Sequence, residues 1–259
     1  MIIGGAAGYL FSKPCNRSGC AARRDVRMKR IGLIIPSSNR MVEQEMVRVL
    51  PTGSTAHVAR LRMTGAYQKS IDELLPEVVV SASTLGDARC DAIAFHCTAN
   101  STNEGEGGEQ RLLAALGTSV AVPVTTTATA IREALAALDA RRIVLVTPYS
   151  QSMTEHEALF FEAAGYDVAA MKALNCAGSD AYCAVPPETW EAVLTDARRD
   201  DVDAYVLSCA NVACFAVIER IERALQRPLV TSNQSVLWAT LRAADAPRPA
   251  ELGQLMRIT

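Results

Sequence analysis

The chain is poor in the residues that most often hold metals and cofactors. It has three histidines, His57, His96 and His156, and no HxxxH-type array among them. It has eight cysteines but no CxxC pair. Without either spacing a zinc site is not expected. Lysine is confined to Lys13, Lys29, Lys69 and Lys172, none at the end of a strand-like run, so a pyridoxal Schiff base has no candidate. The glycines follow neither the Walker A nor the dinucleotide spacing; "GEGGEQ" at 105–110 reads as a flexible loop over a cleft. Basic runs with interleaved aromatics are missing, and a formal net charge of −2 leaves no footprint for nucleic acid or an anionic membrane. No metal, cofactor, nucleic acid or membrane is therefore expected as a partner.

The remaining composition is ordinary for a globular protein, with 49% hydrophobic and 21% charged residues in 259. Scattered cysteines without an export signal point to a reduced, cytoplasmic chain. The first 27 residues have a short apolar start followed by positive charge, the reverse of a secretory signal. Residues 1–27 read as a poorly ordered extension ahead of Met28, with a mitochondrial-type leader as the alternative.

From Met28 onward short apolar runs alternate with helix-period segments. Strands are expected at 31–35, 55–61, 91–96, 121–124, 142–147, 166–171, 203–208 and 228–231. Helices are expected at 40–50, 70–88, 108–116, 127–138, 151–164, 187–199, 212–226 and 233–244. Continuous apolar strands between amphipathic helices imply parallel sheets covered on both faces. The pattern also repeats. "RIGLIIPSSN" at 30–39 returns as "RIVLVTPYSQ" at 142–151, and "DAIAFHC" at 91–97 returns as "DAYVLSC" at 203–209, both displaced by 112 residues. Two matches at one offset imply a duplication. The expected fold is therefore α/β with two similar lobes, each a parallel sheet flanked by helices, related by a pseudo-twofold axis. The first lobe is assigned to 28–124 plus 231–259, the second to 125–230.

Ligands in such sheets collect at the carboxyl ends of strands. Those ends carry Ser37, Ser38 and Asn39, then Cys97 and Thr98, then Tyr149 and Ser150, then Cys209, Ala210 and Asn211. The pseudo-twofold axis would set Cys97 and Cys209 on opposite walls of one cleft. A lone cysteine after a strand is usually a small core residue, the reading given to Cys90, Cys176, Cys183 and Cys214. Recurrence at matched strand ends makes Cys97 and Cys209 different. A free thiol ionises near pH ~8.5, and a helix N-terminus lowers that value. Two facing thiols can remove a proton from one face of a carbon and deliver one to the other. They can also add to an activated double bond and protonate its neighbour. His96, adjacent to Cys97 on a strand, points to the opposite face and packs under a helix. Ser37, Ser38, Asn39, Tyr149 and Ser150 can supply hydrogen bonds to carboxylate oxygens, Ser37 and Ser38 also serving as turn residues.

At "IGLIIPSSN", "AFHCTANST", "RIVLVTPYS", "LSCAN" and "VTSNQSVLWATLR" the chain resembles the aspartate/glutamate racemase superfamily, in its branch of maleate cis-trans isomerases and arylmalonate decarboxylases. The resemblance runs from Met28 to the C-terminus, and "PSSN" favours this branch over the amino-acid racemases. It implies a cofactor-independent isomerase of a small unsaturated dicarboxylate, of the maleate-to-fumarate type, with the active site between lobes. By motif, Cys97 would be the nucleophile and Cys209 the acid/base. Ser38, Asn39, Thr98, Tyr149, Ser150, Ser179 and Ala210 would contact substrate, Ser179 standing where the isomerases carry an Asn for the distal carboxylate. The decarboxylases of this branch keep only the second cysteine, so Cys97 argues against decarboxylation. A two-thiol racemase and a non-catalytic carboxylate sensor are the alternatives. Enzymes of this kind often form homodimers.

Overall fold

The computed structural model describes residues 27–64 and 69–258. The extension expected over 1–27 lies outside these residues except for Arg27, whose guanidinium pairs with Asp91 at 2.8 Å. Eight strands form: β1 (Lys29–Pro36), β2 (Ser54–Leu61), β3 (Ala92–Phe95), β4 (Val124–Thr126), β5 (Arg142–Thr147), β6 (Asp167–Ala173), β7 (Ala204–Leu207) and β8 (Leu229–Thr231). The helices are α1 (Val42–Met46), α2 (Ile71–Asp87), α3 (Thr98–Thr102), α4 (Gly105–Ser119), α5 (Thr127–Ala137) and α6 (Gln151–Ala163). They continue with α7 (Ser179–Ala184), α8 (Pro187–Asp196), α9 (Ile218–Leu225), α10 (Ser232–Ala243) and α11 (Gln254–Arg257). Among the described residues, no helix is long and apolar enough to cross a membrane.

The strands pair into two four-stranded parallel sheets, ordered β2-β1-β3-β4 and β6-β5-β7-β8. The duplicated sequence thus builds the same topology twice. The central strands are apolar on both faces because helices cover both faces: Ile31, Leu33, Ile34 and Ile35 on β1, Ile143 to Val146 on β5 and all of β7 are fully buried. The outer strands β2 and β6 are only partly buried and carry polar residues, as edges do. Gly32 on β1 marks a close approach. A Cβ there would stand 2.9 Å from the Ile93 side chain and 3.2 Å from the Cys90 sulfur.

α10 follows β8 but packs on β3 and β4, while α5 follows β4 and touches both β4 and β8. α5 and α10 pack on each other, and α10 is buried from Ser232 through Leu241. One core cluster joins Ile31 and Leu33 of β1 with Val144 and Leu145 of β5. A second lies under α2 and α4 and includes Ile34, Phe95 and Leu112. We propose the lobe boundaries at the ends of β4 and β8, because the chain crosses between sheets there.

Four expectations are corrected. "GEGGEQ" is not a loop: it opens α4, because Glu109 is buried and bonded to Thr126, Thr129 and Arg132. The fourth strand runs over 124–126 instead of 121–124, since Pro123 has no N–H to give the ladder. The first helix stops at Met46 and gives way to a 3-10 turn over Val47–Val49. Residues 212–214 are not helical, and the segment before α9 is a 3-10 turn over Phe215–Val217. The short helices α3, α7 and α11 were not expected, being four to six residues long and too brief to show a period.

Candidate active site

A pocket opens where the carboxyl ends of β1, β3, β5 and β7 meet. Its lining is Pro36, Ser38, Asn39, Cys97, Thr98, Ala99, Tyr149, Ser179, Tyr182, Cys209, Ala210 and Asn211. Cys97 and Cys209, from equivalent strands of the two sheets, share this pocket as free thiols. Of the substrate contacts expected from sequence, Ser38, Asn39, Thr98, Tyr149, Ser179 and Ala210 line it with them. Ser150 does not. It caps α6, accepting from the Met153 amide at 3.3 Å. Ser37 also turns away, exchanging hydrogen bonds with Met63.

The backbone brings each sulfur to its place differently. Cys97 has extended dihedrals and caps α3, and its thiol donates to Asn100 Oδ1 at 3.4 Å. Cys209 leads into a turn with no α-helix behind it. Its sulfur accepts from the Asn211 amide at 3.3 Å and from the Tyr149 hydroxyl. Tyr149 is held edge-on against Tyr182 with ring centroids 5.4 Å apart. The two cysteine turns are tied together by Ser232 at the start of α10. Its Oγ accepts from the Thr98 hydroxyl at 2.9 Å and from the Cys209 amide at 3.0 Å. Ser232 was not singled out from sequence. Nothing local distinguishes it, since its role depends on α10 crossing between the sheets.

Asn39 and Asn211 form a second bridge. Asn39 accepts from the Met41 and Val42 amides, both at 3.0 Å, and donates to the Ala210 carbonyl at 2.8 Å. One amide N–H of Asn39 is left for a ligand by that count. Asn211 accepts from the Arg40 amide at 2.9 Å and donates to the Ser179 carbonyl at 3.0 Å. Ser179 in turn donates to Ser38 Oγ at 3.1 Å. At the mouth, the Arg40 guanidinium pairs with Asp180 and reaches the Cys183 sulfur at 3.5 Å. Asn211 and Tyr182, absent from the expected contacts, are thus part of the wall.

Burial governs the electrostatics. The expectation that a helix N-terminus lowers the thiols is reversed: desolvation pushes Cys97 up to about 11, offset only partly by the Asn100 amide. Desolvation likewise pushes Cys209 up to about 12, against the pull of the Tyr149 and Asn211 hydrogen bonds. Both thiols are therefore protonated at neutral pH. Among the described residues no Lys or Arg lines the pocket, so its hydrogen-bonding capacity there is hydroxyl and amide. His96 packs away from the pocket, under α5 and α10. It bonds Thr127 at 3.0 Å and Asn233 at 2.9 Å, and burial lowers it to about 4. Among the described residues no group of three or more His, Cys, Asp or Glu could hold a metal ion.

The family model for arylmalonate decarboxylase matches residues 31–256. The maleate isomerase of Nocardia farcinica is 29% identical over 230 residues, covering 85% of this chain and 92% of that one. Among solved structures, the N. farcinica maleate cis-trans isomerase bound to TRIS superposes with a TM-score of 0.82 at 28% identity, covering 88% of this chain and 98% of the other. A cysteine-to-serine mutant of the same isomerase, with a covalently bound succinylcysteine intermediate, superposes with a TM-score of 0.81 at 28% identity and the same coverage.

Proposed function

The chain belongs to the arylmalonate decarboxylase family, and from that premise we propose that it is an isomerase acting on maleate or a similar cis-enedioate through two thiols. The observation that carries this reading is the pair of free cysteines, Cys97 and Cys209, in one pocket at equivalent strand ends. The covalent succinylcysteine in a relative's structure supports it.

The steps follow from the chemistry of a thiol and an activated alkene. Cys97 first gives its proton to solvent. Its sulfur then forms a bond to one olefinic carbon, and the π electrons move through the second olefinic carbon into the carboxylate that carbon bears, as an enediolate. Cys209 transfers its proton to the second olefinic carbon, leaving a succinyl thioether on Cys97 and a thiolate on Cys209. The carbons are now joined by a single bond and rotate. Cys209 takes the proton back, the C–S bond breaks, and its electron pair returns to Cys97. One negative charge has moved from one lobe's sulfur to the other's and back. Asn39 holds one carboxylate, joined by the Tyr149 hydroxyl as it turns from the Cys209 sulfur, and the Ser38–Ser179 pair holds the other through the hydroxyl hydrogen left free on Ser38.

The test is incubation with maleate, followed by proton NMR of the olefinic region. Fumarate should form, and mass spectrometry should find an adduct of succinyl mass on the peptide containing Cys97. Unchanged maleate at high enzyme concentration would remove the maleate assignment. Release of carbon dioxide from an arylmalonate would replace it with decarboxylation.

A further inference from the structure

Glu157 on α6 is an acid buried without a cation. It is fully buried; one carboxylate oxygen accepts from the Ser208 hydroxyl, and the other has no hydrogen-bond partner. Ser208 is the residue immediately before Cys209. The Glu157 charge bears on Cys209 and on Tyr149, the tyrosine that donates to the Cys209 sulfur. The offset of 112 residues that pairs Cys97 with Cys209 pairs Glu45 with Glu157. Glu45 is spent on structure, accepting from the backbone amides of Cys214 and Phe215. Glu157 has no such amides. A buried carboxyl with one oxygen unpartnered by the protein is costly if it only fills space.

We propose that Glu157 is a positioning residue for the second thiol: through Ser208 it holds the Cys209 turn, and its ionisation decides how readily a thiolate forms on Cys209. Anions on Glu157 and Cys209 oppose one another across this buried site. The titratable groups facing Cys209 are Glu157 from α6, Cys97 from the other lobe, Tyr149 after β5 and Tyr182 from α7. Burial raises Glu157 to about 7, with the Ser208 bond pulling the other way. Near neutrality the carboxyl therefore exists in both forms. Neutral Glu157 tolerates the thiolate, while ionised Glu157 opposes it and favours the protonated form of Cys209. Taken together with the isomerase reading, on which this part rests, ionised Glu157 drives the succinyl adduct onward and keeps it from accumulating.

Alkylation of Cys209 by iodoacetamide in the full-length Cys97→Ala protein, located by peptide mass spectrometry, tests the coupling without any substrate. The logarithm of the rate should rise with pH along two parallel limbs, joined by a flattened stretch near pH 7 where Glu157 ionises. In Cys97→Ala with Glu157→Gln the lower limb should run straight on, giving several-fold faster alkylation above pH 8 than in the Glu157-containing protein. A single straight line in the Glu157-containing protein, or identical lines in the two folded proteins, overturns the proposal. If Glu157→Gln does not fold, the flattening still decides it. With the two cysteines intact, Glu157→Gln should also raise the steady-state succinyl adduct on Cys97 several-fold. Coupling without any adduct would overturn the isomerase reading alone.

Discussion

Cys97 and Cys209 end equivalent strands and share a pocket, yet the ground beneath each differs. The residue before Cys97 is His96, neutral and locked between Thr127 and Asn233. The residue before Cys209 is Ser208, bonded to a buried acid. Cys97 caps a helix and touches Asn100, whereas Cys209 sits in an irregular turn under a tyrosine hydroxyl. Even the surrounding cores differ, Cys97 lying in the cluster under α2 and α4 and Cys209 in the one that spans the lobes. Duplication put two identical atoms face to face; divergence of their neighbours made them unequal. An isomerisation that alternates attack and proton transfer needs that inequality, because one sulfur must bond to carbon while the other trades a proton.

The comparison can be broken most directly at the sulfurs. Cys97→Ser should abolish isomerisation, a loss of about a thousandfold or more, and leave no adduct by mass spectrometry. Cys209→Ser should lose as much turnover yet retain an adduct on Cys97. Equal behaviour of the two variants in the adduct assay would show that the lobes do not divide the work.

The next largest effect is that of pH. Both thiols ionise above their ordinary range, Cys97 at about 11 and Cys209 at about 12. In the proposed mechanism attack requires the Cys97 thiolate, whose fraction rises with pH. In a stopped assay, kcat/KM should climb about tenfold per unit from pH 7 to 9. A plateau below pH 8 would mean that a thiolate is already present.

A smaller effect is expected at Ser232. Ser232→Ala unpairs the Cys209 amide and the Thr98 hydroxyl and should cost about 1–3 kcal/mol of stability in urea unfolding. Turnover should fall roughly tenfold as the two turns lose their common anchor. Ser150→Ala, outside the pocket, should leave KM unchanged and lower stability by only about 1 kcal/mol, the value of a helix cap.

The smallest effect sharpens the contrast between the residues preceding each cysteine. His96 is lowered from 6.5 to about 4, so the unfolded chain binds the extra proton and stability rises with pH across that window. Glu157 is raised from 4.5 to about 7, so the folded chain holds the extra proton and stability falls with rising pH across that window. Between about 4.5 and 6.5 the two slopes oppose each other. Glu157→Gln should therefore make thermal stability rise more steeply with pH there, and His96→Gln should reverse the slope. A variant slope equal to that of the unmodified protein would remove the assigned group.

Much of the site was legible because the chain states it twice. The matched runs ending in Cys97 and Cys209 located both sulfurs, and the matched Pro-x-Ser loops located Ser38, Asn39 and Tyr149. Ser150 failed the same reasoning, since its position after a strand suited a helix cap as well as a ligand contact. Asn211 was visible in the strand end that carries Cys209, whereas Ser232 and Tyr182 left no local signal, because what matters for each is a partner far along the chain. Glu157 looked like any acid on an amphipathic helix, and only its contact with Ser208 separates it from the exposed acids of α6.

By itself the sequence determined two parallel sheets of one topology and the strand ends that carry the sulfurs. Apolar runs can be buried on both faces only under helices, and a repeated pattern folds twice in the same way. The tertiary structure decided what surrounds each thiol. The crossing of α10 tied the two turns through Ser232, and burial reversed the direction in which the thiols were expected to shift. Desolvation depends on every neighbour at once, and no local stretch of sequence encodes it.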